Sequence, residues 1–308
     1  MNQLHLLQNE HLQATIQNLG AEMQTLTDRK SGRELMWHGD TAFWDGRAPI
    51  LFPIVGGMWD GVCRINEQEY RIPKHGFVKN REWTLIHKSE SAATFAVENT
   101  AEELKIFPWP YRLEVTYQLE ERTLRATMRV RNLSEASTMW FQIGGHPSIA
   151  MPDWKPAGQK VQGYLRLEGR PISMLRASTQ GCTEAQRVAI PWNDDIETSA
   201  ALARHQPFNA LIPVCVDTFA NEALIFDAHQ ISAIQVLDLE KRRIARVASS
   251  SPAWLVWSPQ GQHAPFICCE PWYGLCDAQE FSGPIQERPY IQHLAPGHEW
   301  AGWYTVEV

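Results

Sequence analysis

The chain has 308 residues, a formal net charge of −7, and 44% hydrophobic against 20% charged residues, a balance that excludes disorder as its main state. Its lysines and arginines are scattered, with no basic run longer than Lys241-Arg242-Arg243, so the concentrated positive face of a nucleic-acid binder is not expected. No apolar run approaches membrane-spanning length, so no membrane association is expected either. Period-2 alternation predicts strands over residues 12–19, 34–38 and 92–98. The clearest case follows them. Leu113, Val115, Tyr117 and Leu119 alternate with Glu114, Thr116 and Gln118, then comes Glu120-Glu121-Arg122. Beyond it, Leu124, Ala126, Met128 and Val130 alternate with Arg125, Thr127 and Arg129. This reads as a hairpin with one buried and one wet face. Further short runs cover 139–143, 164–167, 223–226, 233–239, 254–257, 266–269 and 302–306. Residues 101–107 and 195–205 each have room for a helical turn or two. Residues 150–222 are the least regular stretch and are expected to hold long loops.

Many antiparallel strands with few helices predict an all-β fold, a sandwich or barrel. No linker rich in Gly, Ser or Pro divides the chain, so one large antiparallel β-sandwich over residues 1–308 is expected. The opening Met1-Asn2-Gln3-Leu4-His5 has no positive start and no apolar segment of the secretory kind. The six cysteines form no CxxC pair, which fits reduced, buried thiols and a cytoplasmic location. Cys268, Cys269 and Cys276 match no zinc-ligand spacing, so no metal is expected. The 13 tryptophans are mostly core material, with a few free to offer flat faces to a ligand.

Four segments break the alternation, each beside a predicted strand, where a scaffold presents functional groups. In Arg47-Ala48-Pro49-Ile50-Leu51-Phe52-Pro53-Ile54-Val55-Gly56-Gly57, an arginine opens a nearly uncharged stretch. Its fork suits hydroxyl or anionic oxygens, and a surface ion pair is the plainer reading. In Pro73-Lys74-His75-Gly76-Phe77, glycine allows a sharp turn after a histidine that either donates to a ligand or is satisfied by backbone. In Phe141-Gln142-Ile143-Gly144-Gly145-His146-Pro147, a strand runs into His146, a residue type suited to moving a proton near neutral pH. In Cys268-Cys269-Glu270-Pro271-Trp272-Tyr273-Gly274, a glutamate ends a buried run, a costly place for a carboxylate unless it is paired or functional. GxSxG, GxGxxG and the P-loop are missing, and His298-Glu299-Trp300 lacks the second histidine of a zincin. Cofactor-dependent and metal-dependent chemistry therefore have no support.

In order and spacing, these segments resemble the aldose 1-epimerase (galactose mutarotase-like) family. So do Leu19-Gly20-Ala21-Glu22-Met23-Gln24 near the start and Leu294-Ala295-Pro296-Gly297 near the end. The resemblance implies the family's antiparallel supersandwich and cofactor-free interconversion of sugar anomers. By motif it makes His146 the general acid and Glu270 the general base, with Arg47 and His75 as ligands of substrate hydroxyls. The family's sugar-binding aspartate falls at Glu222, one methylene longer. Gly145-His146-Pro147 also departs from the Asn-His step of the better-known galactose mutarotases, so galactose specificity does not follow. An unperturbed Glu270 is ionised at neutral pH and favours a protonated His146. The expected partner is a small-molecule sugar, and the expected assembly a monomer or homodimer.

Three alternatives remain open on the residues alone. A phosphorylated or anionic hexose would need cations at the pocket rim, for which Lys74, Lys79, Arg64 and Arg81 are candidates. A non-catalytic sugar-binding protein could share the fold. A glycoside hydrolase would need a second carboxylate, with Glu222 or Asp277 facing Glu270.

Overall fold

The computed structural model describes residues 3–155, 160–190 and 211–308. Two large antiparallel sheets dominate. The first has nine strands, in the spatial order 211–214, 163–169, 231–237, 243–249, 299–307, 123–132, 111–120, 92–98 and 84–88. The second has eight. Seven run in the order 183–189, 173–177, 223–226, 253–257, 266–273, 143–145 and 50–51, and residues 148–150 pair with 266–273 as the eighth. A four-stranded sheet forms from residues 4–8, 12–17, 23–28 and 33–34. The predicted antiparallel sandwich is what the chain adopts.

The predicted hairpin pairs Leu113 with Val130, Val115 with Met128 and Leu119 with Leu124. All six are buried at 4% exposure or less, while Glu114, Thr116, Arg125 and Arg129 lie on the wetter face. Alternation also sorts the strand Phe266–Tyr273, which is buried along its whole length. Ile267, Cys269 and Tyr273 join the main core with residues of the nine-stranded sheet such as Val115 and Val247. Phe266, Cys268 and Trp272 belong to separate apolar clusters on the opposite face, and Glu270 shares their parity. Neighbouring strands divide in the same way. Leu224, Phe226, Trp254 and Val256 enter the main core, and Ala223, Ile225, Leu255 and Trp257 face outward with Glu270.

Some expectations gave way. The run at 34–38 pairs as a strand only at Arg33–Glu34. There the Glu34 carboxylate accepts from the backbone N–H groups of Leu26, Leu35 and Met36, and beyond it the chain changes partner, with Met36 bridging Ile149, the Ala150 N–H donating to the Leu35 carbonyl and the Trp37 N–H to the Ser148 carbonyl. The run at 139–143 splits between two sheets, Met139–Phe141 pairing with Gln292–Leu294 and Ile143–Gly145 with the Glu270 strand. Residues 101–107 hold a single 3-10 turn at Glu103–Lys105. The stretch expected to loop, 150–222, contains strands at 163–169, 173–177, 183–189 and 211–214 among its described residues. The helical reading of 195–205 lies outside the described residues.

Behind the Glu270 strand, a buried ion pair ties three loops together. Arg288 Nε lies 2.9 Å from Asp277 Oδ1, and both side chains are at most 2% exposed. Asp277 Oδ2 also accepts from an Arg288 terminal nitrogen at 3.0 Å and from the Trp59 N–H at 2.9 Å. Removing one member strands the other charge in the interior. Arg288→Ala is expected to lose about 3–5 kcal/mol of stability, read from the midpoint of urea unfolding.

Candidate active site

The outward face of the eight-stranded sheet carries a cavity of about 280 Å³, close to the lower end of small-molecule pockets, about 300 Å³. That suits a single small ring better than a chain of rings. Ile225, Leu255 and Glu270 sit side by side across three paired strands to form its floor, with Ala223 and Trp257 in the next row. His146, His75, Lys74, Lys79, Glu222 and Trp44 complete the polar and aromatic walls.

His146 and Glu270 meet in this cavity. His146 Nε2 lies 3.1 Å from Glu270 Oε1, and the two residues are 6% and 1% exposed. The contact is close but poorly aligned. Neither carboxylate oxygen of Glu270, nor Nδ1 of His146, has a hydrogen-bond partner. Burial pushes Glu270 well above the usual carboxylate range, and Glu222 adds to this while Lys74, Trp272 and Lys79 oppose it. Burial likewise pushes His146 well below the usual imidazole range. Its own backbone carbonyl opposes that, and Lys79 and Lys74 reinforce it. Both shifts favour the uncharged forms, a protonated carboxyl and a neutral imidazole, which is the reverse of the expected ion pair. Sequence reasoning assumed unperturbed values and missed how completely both groups are dehydrated.

Local backbone sets these positions. Residues 143–145 pair with 50–51 on one side and with the Glu270 strand on the other. A Cβ on Gly145 would lie 2.5 Å from the Tyr304 ring, so only glycine lets the strand approach that closely before His146. The His146 N–H then donates to the Pro49 carbonyl at 3.1 Å. The Pro49 segment is held in turn by Glu22, whose Oε1 accepts from the N–H groups of Arg47 and Ala48 at 2.8 and 2.9 Å. Glu22 Oε2 is steadied by the side-chain amides of Gln17 and Gln24.

His75 enters from a loop that crosses this segment. Gly76 has φ +69, and a Cβ there would fall 1.9 Å from the Phe52 carbonyl oxygen, which explains the His-Gly step. The Gly56 N–H donates to His75 Nδ1 at 3.1 Å. Burial, with His146 and both lysines adding to it, keeps the His75 ring neutral. An Nδ1 that accepts leaves Nε2–H as the donor. The backbone thus satisfies one nitrogen, and Nε2–H remains a donor at the cavity wall. The ring stands edge-on to His146 at 5.6 Å.

Glu222 also reaches the cavity wall, with φ +69 and its Oε1 3.7 Å from Lys74 Nζ. Arg47 does not line the cavity. Its guanidinium donates to the His38 carbonyl, and its backbone serves the Glu22 clasp. The expectation that Arg47 binds a substrate hydroxyl therefore lacks a geometric basis here, because that backbone carbonyl turns the side chain aside. Asp277 is committed to Arg288 and Trp59, which leaves no second carboxylate of the glycosidase kind at that position. Of the four cations considered, Lys74 and Lys79 line the cavity, whereas Arg64 pairs with Glu69 and Arg81 with Glu103. Trp44 was not singled out from the sequence. Its ring lies over His146 at 4.7 Å and 31°. Trp257 could have been found, since alternation with Leu255 puts it on the Glu270 face.

A family model described as aldose 1-epimerase matches residues 3–307. The chain belongs to the aldose 1-epimerase family. Among its relatives, Protein LacX of Lactococcus lactis subsp. lactis is 27% identical over 297 residues, 94% of each chain. A galactose mutarotase-like protein from Lactobacillus casei superposes with a TM-score of 0.85 at 26% identity, covering 99% of both chains. A galactose mutarotase related enzyme from Lactobacillus acidophilus has a TM-score of 0.86 at 22% identity, covering 99% of this chain and 97% of its own, a likeness of fold. Among the described residues no helix is long and apolar enough to cross a membrane, and all six cysteines are buried and unpaired.

The reversed protonation has a measurable consequence. A carboxyl whose folded pKa is raised contributes stability that is complete below its unfolded value of about 4.3 and drains away as pH rises toward the folded value. Glu270→Gln removes that loss. The variant is expected to melt above the wild type at pH 8, by about 2–4 °C per kcal/mol recovered, with the gap closing as pH falls to 5. Calorimetry across that range checks it, and a gap that widens toward low pH would overturn the assignment.

Proposed function

We propose that this protein is a mutarotase that interconverts the α and β anomers of an aldose, with His146 and Glu270 exchanging the protons. The observation that carries the reading is the dehydrated pair itself: Nε2 and Oε1 lie 3.1 Å apart on a cavity wall, and neither carboxylate oxygen has an aligned hydrogen-bond donor. Opening a cyclic hemiacetal removes a proton from the anomeric hydroxyl, breaks the bond between C1 and the ring oxygen, and delivers a proton to that oxygen. The aldehyde turns about C1–C2 and closes on the other face, and each proton returns. Nothing is consumed, and the pair needs only one mobile proton between its members.

Burial favours that proton on Glu270. A bound sugar brings hydroxyl donors to the orphaned carboxylate oxygens, which favours the ionised form and moves the proton to His146. Ring opening then proceeds with Glu270 as base and His146 as acid. Trp44 offers the imidazolium an aromatic face. His75 Nε2–H and Glu222 are the proposed hydroxyl ligands.

Anomer exchange measured by NMR on a panel of aldoses tests the reading. His146→Ala and Glu270→Gln are each expected to lose about 10²–10⁴-fold, and the double variant little more, since the two act as one unit. Near wild-type rates in either would refute the pair, and saturable sugar binding without acceleration would make the protein a binder. Glu22→Ala is expected to lower kcat by about 10–100-fold with KM nearly unchanged, because a misplaced acid reacts poorly while the hydroxyl ligands remain.

A second reading concerns the substrate's charge. Lys79 is half-buried in the cavity wall with no ion-pair partner among the described residues, and burial beside Lys74 pushes its ammonium down. This favours an aldose carrying an acidic group. Lys79→Met is then expected to lower the ratio of turnover on glucose 6-phosphate to turnover on glucose by about tenfold or more. An unchanged ratio would leave neutral sugars as the substrates.

A further inference from the structure

The Glu270 strand brings one more donor to the same place. Cys268 shares the outward face with Glu270, two residues away, and is fully buried. A ring nitrogen of His146, the Cys268 sulfur and a carboxylate oxygen of Glu270 all lie within 4.8 Å of one another. A tetrahedral zinc ion with bonds of about 2.0–2.3 Å sets its ligands roughly 3.3–3.8 Å apart. The 3.1 Å between His146 Nε2 and Glu270 Oε1 is already close to one such edge.

A second observation points to a ligand. Both Glu270 oxygens are without hydrogen-bond partners although the residue is 1% exposed, so lone pairs on the cavity wall are unused. Binding expels the protons that burial favours on the Cys268 thiol and the Glu270 carboxyl; the resulting thiolate and carboxylate cancel a divalent cation, so the buried set stays neutral overall. Three protein donors with the fourth position open to a cavity are the pattern of accessible zinc sites, and sulfur with imidazole selects thiophilic ions over magnesium or calcium. Cysteine spacing alone missed the set because its histidine comes from a different strand.

We propose that this pocket binds a thiophilic divalent cation of the zinc class through His146, Cys268 and Glu270, and that the metal-bound form does not turn over sugar. The second clause rests on the mutarotase reading, and the first does not. Occupied lone pairs on Glu270 and His146 Nε2 leave neither group able to move a proton, so zinc acts as a reversible inhibitor of its own host site.

Chelator-treated, full-length protein titrated with Co²⁺ tests the site. The expected result is a thiolate-to-cobalt charge-transfer band in the near ultraviolet that saturates at one equivalent and is bleached by Zn²⁺. Cys268→Ala is expected to lose the band. Cys268→Ser, which keeps the volume, serves if the alanine variant fails to fold. In anomer exchange, Zn²⁺ is expected to suppress the wild-type rate and EDTA to restore it. The serine or alanine variant should need at least tenfold more Zn²⁺ to lose half of its own metal-free rate. Absence of the band in the wild type overturns the site, as does a variant with an unchanged band or unchanged zinc sensitivity. A wild type that shows the band yet accelerates no aldose would keep the metal site and refute the mutarotase reading, so the two failures are distinct.

Discussion

The structure depends on keeping one acid and one base dry and side by side in a sheet face that is otherwise apolar. Glu270 is flanked across the ladder by Leu255 and along its own strand by Cys268 and Trp272. Burying a lone carboxylate there would be prohibitive, and pairing it with His146 allows both groups to stay uncharged by sharing a proton. The ionised and neutral forms of the pair carry the same net charge and the same number of protons. Interconverting them displaces a proton by a short distance without changing the charge buried in the fold. A site with that property is poised for a reaction in which one oxygen gives up a proton while another gains one.

Such poise is useful only if the two groups are held still, and the chain does this mostly with backbone. Glu22 clasps the N–H groups of Arg47 and Ala48, the next carbonyl, that of Pro49, receives the His146 N–H, and the strand that ends just before His146 lies against the Glu270 strand. Gln142 adds a buried cross-tie, donating to the Leu275 carbonyl at 2.7 Å and accepting from the Val55 N–H at 3.3 Å. The segment 47–56 is therefore a brace. It touches the cavity at Pro49, Leu51 and Gly56, while its one cation, Arg47, is used for folding.

Legibility in the sequence followed the physics of each signal. Alternation is a local property, so the 111–132 hairpin and the two faces of 253–257 could be read directly. Glu270 and His146 could be singled out because a polar residue within or just after a buried run is anomalous wherever it occurs, although the buried strand continues past Glu270 to Tyr273. The fate of Arg47 could not be read, because it depends on a carbonyl at His38 that only the folded loop brings near. Nor could the reversed protonation of the pair, which arises from dehydration by strands distant in sequence. Strands such as 183–189, with an exposed face and few apolar residues, lack the contrast that alternation needs.

The remaining charged lining of the cavity follows a different logic. Beside His146 and Glu270, its ionisable side chains with ordinary charges are Lys74, Lys79 and Glu222, which sum to one positive charge. The Lys74–Glu222 contact is long and half-exposed, at 3.7 Å, and such pairs contribute little to stability. Glu222 is instead placed by its backbone, held in the left-handed region with its N–H donating to the Phe219 carbonyl at 3.0 Å. A carboxylate fixed by backbone but only loosely engaged through its side chain is free to exchange a lysine for a ligand hydroxyl at small cost. The His146–Glu270 pair is thus dry and braced by backbone, while Lys74 and Glu222 are more exposed and only loosely engaged. Changes at Lys74, Lys79 or Glu222 therefore also act on the pair, because all three charges bias where its proton rests.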